Sequence, residues 1–163
     1  MKKTFEVQME IDESYLTDLL STARSDVCGV QWWDYDDDEY EEAREQLVKE
    51  GNAKPCLEEV WARMLMIGKK LRLLDPESDW HWSGHEPGEL LWNAQIVAEG
   101  CVPEGGDWHP LGLEDVVNGI QMYGKARIAG DCGGDIVKIV ENGDFWDADA
   151  VIQYAIYGDC IYG

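Results

Sequence analysis

The sequence predicts an α+β fold: a small N-terminal sheet packed with helices, followed by a helix-rich C-terminal two-thirds. Three observations carry that prediction. Residues 4–11 alternate Phe5, Val7, Met9 and Ile11 with Glu6, Gln8 and Glu10, the period-2 pattern of a half-buried strand. Several later runs repeat apolar residues at helical spacing. One of these runs occurs twice, 56 positions apart: Leu57/Leu113, Glu58/Glu114, Val60/Val116, Met66/Met122, Gly68/Gly124 and Lys69/Lys125 are identical. Each copy leads through a Gly/Pro-rich stretch to a second apolar run, residues 90–100 and 148–158, so a duplicated helix–loop–helix unit is expected.

Taken in order, Asp12 is placed to cap a helix whose face is Leu16, Leu19 and Leu20 and which ends near Ser25. Residues 27–33 read as a second strand, parallel to the first if the two are adjacent. Residues 34–42 hold seven acidic residues in nine and run into a helical stretch at 43–49. Residues 51–55 break the chain. In the first unit Leu57, Val60, Trp61, Met64, Gly68 and Leu71 keep helical spacing, and Arg63, Lys69, Lys70 and Arg72 suit a helix C-terminus. Residues 75–88 are expected to be a loop, 89–99 a helix and 100–112 another loop. Leu113, Val116, Val117 and Ile120 form the second unit's buried stripe. A break at 130–134, a short helix at 135–141 and a turn at Asn142-Gly143 follow. Asp147 is expected to cap residues 148–157, with Gly158 just past the end. Residues 160–162 are expected to close the sheet. Gly68 and Gly124 interrupt apolar stripes, where a missing side chain lets helices approach.

The 163 residues suffice for a single domain, with residues 1–55 holding the strands and acidic helix, 56–101 the first helical unit and 112–163 the second. Eight Trp and 45% hydrophobic residues can build a core. The formal charge is −21, and residues 1–54, 55–110 and 111–163 carry 15, 10 and 9 acids against 6, 4 and 3 bases. Acidity is therefore a property of the whole chain. Such a molecule repels phosphate backbones and anionic membranes and attracts basic protein surfaces or cations. Two N-terminal Lys are not followed by an apolar segment, and no run approaches the ~18 apolar residues of a membrane span. Five Cys are widely separated, the pattern of reduced thiols in a cytoplasmic protein.

Candidate chemistry is sparse. Asp34, Asp36 and Asp38, with Glu45 at the twelfth position, match part of a calcium loop, but Glu39 stands where that loop needs glycine. His81 and His85 are four apart, yet Trp82, Ser83 and Gly84 make a poor helix and there is no accompanying zinc motif. No metal and no cofactor is expected. Phosphate-loop spacing and a G-x-S-x-G motif are both missing, and Cys132 has no neighbouring His base, so a non-enzyme is expected.

The residues 143–163, ending Asp147-Ala-Asp-Ala-Val-Ile-Gln-Tyr-Ala-Ile-Tyr-Gly158 and Tyr162-Gly163, resemble the ending of small phage and prophage proteins, which follows a pattern like D-x-x-x-A-D-x-I-x-Q-x-A-x-F-G-x-x-x-Y-G. The N-terminal strand, Leu16-Thr-Asp-Leu-Leu and Gly29-Val-Gln-Trp-Trp are similar to that group's beginning. About half of the chain takes part, and the unit between Leu57 and Gly100 is extra relative to the shorter group. The resemblance implies a phage origin and brings no activity or site residue with it.

Charge and setting together give an expectation: a phage-encoded acidic inhibitor, of the anti-CRISPR or anti-restriction type, occupying the basic nucleic-acid site of a host defence protein. Asp34, Asp36, Asp37, Asp38, Glu39, Glu41 and Glu42 are its expected contact face. Carboxylates along a rigid surface imitate the charge ladder of DNA, about one charge per 1.7 Å of duplex. The alternative is an accessory module that binds a protein or small ligand through Trp80, Trp82 and Trp108 in its loops. Direct nucleic-acid or membrane binding is not expected, and the site of action would be the host cytoplasm.

Overall fold

Side-chain hydrogen bonds fix the starts of the first three helices. The structure, a computed structural model, describes residues 10–24, 32–129 and 145–161. The strands expected over 4–11 and 27–33 lie largely outside these residues, as do the break, helix and turn expected over 130–143. Helix α1 (Glu13–Arg24) starts where the Asp12 carboxylate accepts the Tyr15 N–H at 2.8 Å, and it buries Leu16, Leu19, Leu20 and Ala23. After β1 (Trp32–Asp34), Asp36 caps α2 (Asp37–Lys49) by accepting the N–H groups of Asp38 and Glu39 at 3.0 and 3.1 Å. The helix thus begins inside the acidic cluster. Its buried residues are Ala43 and Leu47.

Helix α3 (Leu57–Met66) opens with the Glu59 carboxylate accepting the Cys56 N–H at 2.7 Å, and it buries Val60, Trp61, Ala62, Met64 and Leu65. It ends earlier than its apolar spacing predicts. Gly68 turns the chain at φ +83°, a conformation open to glycine, and the Lys69 N–H bonds back to the Met64 carbonyl at 2.8 Å. Gly68 is therefore a helix terminator, and Leu71 belongs to β2 (Leu71–Leu74) instead of the helical stripe.

Both expected loops contain strands. β3 (Trp80–Trp82) precedes the seven-residue α4 (Asn93–Glu99), and β4 (Pro103–Gly105) and β5 (Trp108–Leu111) follow it. Strands β1, β2 and β5 form one antiparallel sheet in that order, while β3 and β4 form a separate ribbon. The register aligns Trp33, Leu73 and His109 on one face, with Leu71 opposite Leu111. Trp32, Leu74 and Trp108 align on the other, next to Asp34, Arg72 and Pro110. The described neighbour of β1 is thus an antiparallel strand from the middle of the chain.

Helices α5 (Leu113–Ala129) and α6 (Phe145–Tyr157) complete the described elements. They pack together, as do α1 with α3, α2 with α3, and α1 with α6. The glycine that permits close approach is Gly119: a Cβ there would lie 2.4 Å from the Val151 carbonyl oxygen of α6. Asp147 is not the cap of α6, which begins two residues earlier. Its carboxylate instead accepts the Tyr123 hydroxyl of α5, tying the pair near the start of α6. Gly158 ends α6 as expected, at φ +72° with its N–H on the Tyr154 carbonyl at 3.1 Å. Cys160 and Ile161 are not in a strand.

One buried cluster draws on every described helix except α4, with Leu71, Leu73 and Leu111 supplied by the sheet and Trp33 packed against it. The two repeated runs diverge within this frame. The first becomes a ten-residue helix that gives way to a strand, whereas the second continues through Gly124 and Lys125 as a seventeen-residue helix.

Candidate functional site

The acidic run is divided between internal and outward roles. Asp34 pairs with Arg72 of the neighbouring strand, and Asp36 is occupied as the cap of α2. Lys69, just past α3, takes Glu42 at 3.0 Å and Glu39 at 3.6 Å, and these carboxylates, Glu42 foremost, raise its ammonium pKa. Asp34 thus joins two strands of the sheet, Asp36 caps its own helix, and Glu39 and Glu42 tie α2 to the segment that follows α3. Asp37, Asp38 and Glu41 are exposed, and Glu45 lies one turn beyond Glu41. Among the described residues Glu41 and Glu45 make only intrahelical pairs, with Arg44 at 3.2 Å and Lys49 at 3.0 Å. Such exposed pairs contribute only about 0.3–0.5 kcal/mol and yield readily to a better partner. The outward stripe is Asp37, Asp38, Glu41 and Glu45. Residues 37–45 are helical, so no calcium-type loop forms from Asp34, Asp36 and Asp38.

A rigid helix is what makes that stripe a surface rather than a tether. Tyr40 leaves the acidic side to stack on Tyr35 at 4.8 Å, and Tyr35 meets Trp61 edge-on at 5.8 Å. Trp33 stacks on Trp61 from the sheet at 5.4 Å. Arg63 of α3 adds a clamp, holding Glu50 through two hydrogen bonds (2.8 and 2.6 Å) and also Glu13 of α1. The guanidinium keeps the Glu50 carboxyl below the usual range.

The tryptophans expected in binding loops are structural parts of the strands. Trp82 meets Trp32 at 5.0 Å and Trp80 at 5.2 Å, both edge-on, so the ribbon rests against the outer face of the sheet. The Trp108 indole donates to the Gly105 carbonyl at 3.1 Å and lies under the Arg72 guanidinium. Trp80 donates to the Pro76 carbonyl at 3.4 Å. All three are half-buried. The freely presented side chains lie elsewhere: Leu90, Trp92 and Val97 are 94%, 82% and 81% exposed. The spacing of this run predicts a helix of the first unit, and its apolar character gives no sign that it faces solvent.

The histidines separate as well. His81 faces Glu104 at 3.7 Å and His109 faces Asp75 at 3.7 Å. His85 does not join His81. Its Nδ1 lies 3.1 Å from Glu89 and its Nε2 3.0 Å from Glu99, whose carboxylate also lies 3.7 Å from the Cys101 sulfur. The carboxylates, Glu99 foremost, push the imidazole pKa up, while burial pushes the Cys101 thiol up. Donor atoms of His85, Glu99 and Cys101 fall within 4.8 Å of one another, the metal-capable grouping among the described residues. No short motif announces it, since the residues are 14 and 16 positions apart.

No protein-family model, curated protein or solved structure matches the chain. None of the described helices is long and apolar enough to cross a membrane.

Proposed function

We propose that the chain is a non-enzymatic, phage-encoded acidic inhibitor that occupies the basic nucleic-acid-binding surface of a host defence protein. The observation that carries this reading is the outward stripe of α2, backed by a core that fixes its direction. Helix α2 bears six carboxylates in 13 residues. The four of the stripe span residues 37–45, about 12 Å at a rise of 1.5 Å per residue, so successive carboxylates lie on average about 4 Å apart along the axis, comparable to the 3.4 Å spacing along a single DNA strand. The net charge of −21 reinforces this surface and steers it toward a cationic groove. Asp36 caps the helix, Glu39 and Glu42 anchor it to Lys69, Asp34 is engaged by Arg72 within the sheet, and Asp37, Asp38, Glu41 and Glu45 make the contact.

The test is capture of host-lysate proteins at low salt by wild type and by Asp37→Asn/Asp38→Asn/Glu41→Gln/Glu45→Gln. The proposal expects a nucleic-acid-handling partner that DNA or RNA displaces, and more than tenfold weaker binding by the variant, or about 1.4 kcal/mol. Equal capture by the two folded proteins would overturn it. A second reading, a module that binds a protein through aromatic anchors, is favoured by the exposure of Trp92 rather than by Trp80, Trp82 or Trp108. Under it, Trp92→Ala abolishes capture and salt hardly matters.

A further inference from the structure

Residues 83–102 leave the body of the protein at the end of the β3–β4 ribbon and return beside it. The Ser83 N–H bonds to the Val102 carbonyl at 2.8 Å and the Val102 N–H to the Ser83 hydroxyl at 2.9 Å, closing the base. Cys101 is buried at the end of the excursion, while Leu90, Trp92 and Val97 face solvent. A segment without a core of its own loses conformational entropy on ordering with little apolar burial to offset it. A cross-link at its base is the economical remedy, as in small metal-stabilised modules.

We propose that His85, Glu99 and Cys101 bind a thiophilic divalent cation, zinc being the best match, which clips this excursion shut. The ligands come from its two ends, one before α4 and two at or just after its last residue. Their chemistry is a nitrogen, an oxygen and a sulfur donor, a set that selects against calcium and magnesium, which take oxygen alone. Around a tetrahedral zinc with bonds of ~2.0–2.3 Å, donors lie roughly 3.2–3.7 Å apart. The nitrogen–oxygen and oxygen–sulfur separations are 3.0 and 3.7 Å and all three donors lie within 4.8 Å of one another, so side-chain movements of about 1 Å admit the ion. Glu89 supplies the remaining element of such sites. It sits 3.1 Å from Nδ1 and takes that N–H, which aims the lone pair of Nε2 at the cation. On binding, the cation replaces the proton between Nε2 and Glu99, the Cys101 thiol releases its own, and a water completes the fourth position.

The full-length protein, stripped with chelator, is titrated with Co²⁺ in excess Mg²⁺, which occupies the general acidic surface. The proposal expects one saturable equivalent with a thiolate-to-cobalt charge-transfer band and tetrahedral visible absorption. Zn²⁺ displaces the signal, raises the melting temperature and protects residues 86–98 from protease. Cys101→Ser and His85→Ala lose the band, and Glu89→Gln binds about 10–100-fold more weakly. Cys56→Ser and Cys160→Ser retain it. The absence of the band from the wild type, or its persistence in Cys101→Ser, would overturn the proposal. Should His85→Ala fail to fold, Glu89→Gln keeps the test intact, because unchanged affinity in that variant contradicts the assigned orientation.

Discussion

Two residues on the paired C-terminal helices carry separable consequences. Alanine at position 119 would gain up to about 1 kcal/mol of helix propensity over glycine. Its methyl group, however, would lie 2.4 Å from the Val151 carbonyl oxygen, backbone that no rotamer change moves aside. Overpacking costs about 1–3 kcal/mol and wins, so Gly119→Ala is expected to lower the urea midpoint. Asp149 is buried on α6, with Oδ2 held by Gln153 at 2.6 Å and Oδ1 without a hydrogen-bond donor among the described residues. Burial raises its pKa above the ordinary carboxylate value. A carboxyl with a raised native pKa favours folding most when protonated, and that contribution fades as pH rises from the unfolded value through the native one. Asp149→Asn should therefore be more stable than wild type at pH 7, by about 1 kcal/mol. The gap should narrow toward pH 4. Urea unfolding at the two pH values checks both the sign and the trend.

At the scale of elements, caps determine where helices begin and glycines where several of them end. Asp36→Ala removes the acceptor for two N–H groups of α2 and should cost about 1 kcal/mol of stability. Asp36→Asn keeps the cap and should leave the denaturation midpoint nearly unchanged while removing the charge, which separates folding from binding at this position. The same elements show how far the sequence could be read. Helix α1 was legible from Asp12 and its leucines, α3 from its spacing, and the end of α6 from Gly158. The strands within residues 71–111 were not, because runs of three or four residues are too short to display alternation. Trp80, His81 and Trp82 become a strand through pairing with Pro103, Glu104 and Gly105, more than twenty positions away. The acidic run was visible, but its division was hidden by distance, since Lys69 and Arg72 lie 27 to 38 positions from the carboxylates they engage. The His85, Glu99 and Cys101 grouping was hidden for the same reason.

For the whole molecule, charge dominates. A net charge of −21 on 163 residues repels itself in the compact state, so moderate salt should stabilise the fold by screening. The melting temperature is expected to rise between 0.05 and 0.5 M NaCl, roughly the range over which the Debye length shortens past the spacing of surface charges. Partner binding through α2 should respond in the opposite sense over that range. This opposition distinguishes an acidic contact surface from an acidic coat, which would alter stability alone. The decisive measurement is the salt dependence of affinity for the captured partner, determined in parallel for wild type and for the variant neutralised at Asp37, Asp38, Glu41 and Glu45. A steep loss of wild-type affinity with salt and a markedly shallower slope for the variant are expected. Parallel slopes with equal affinities would contradict this and remove α2 from the interface.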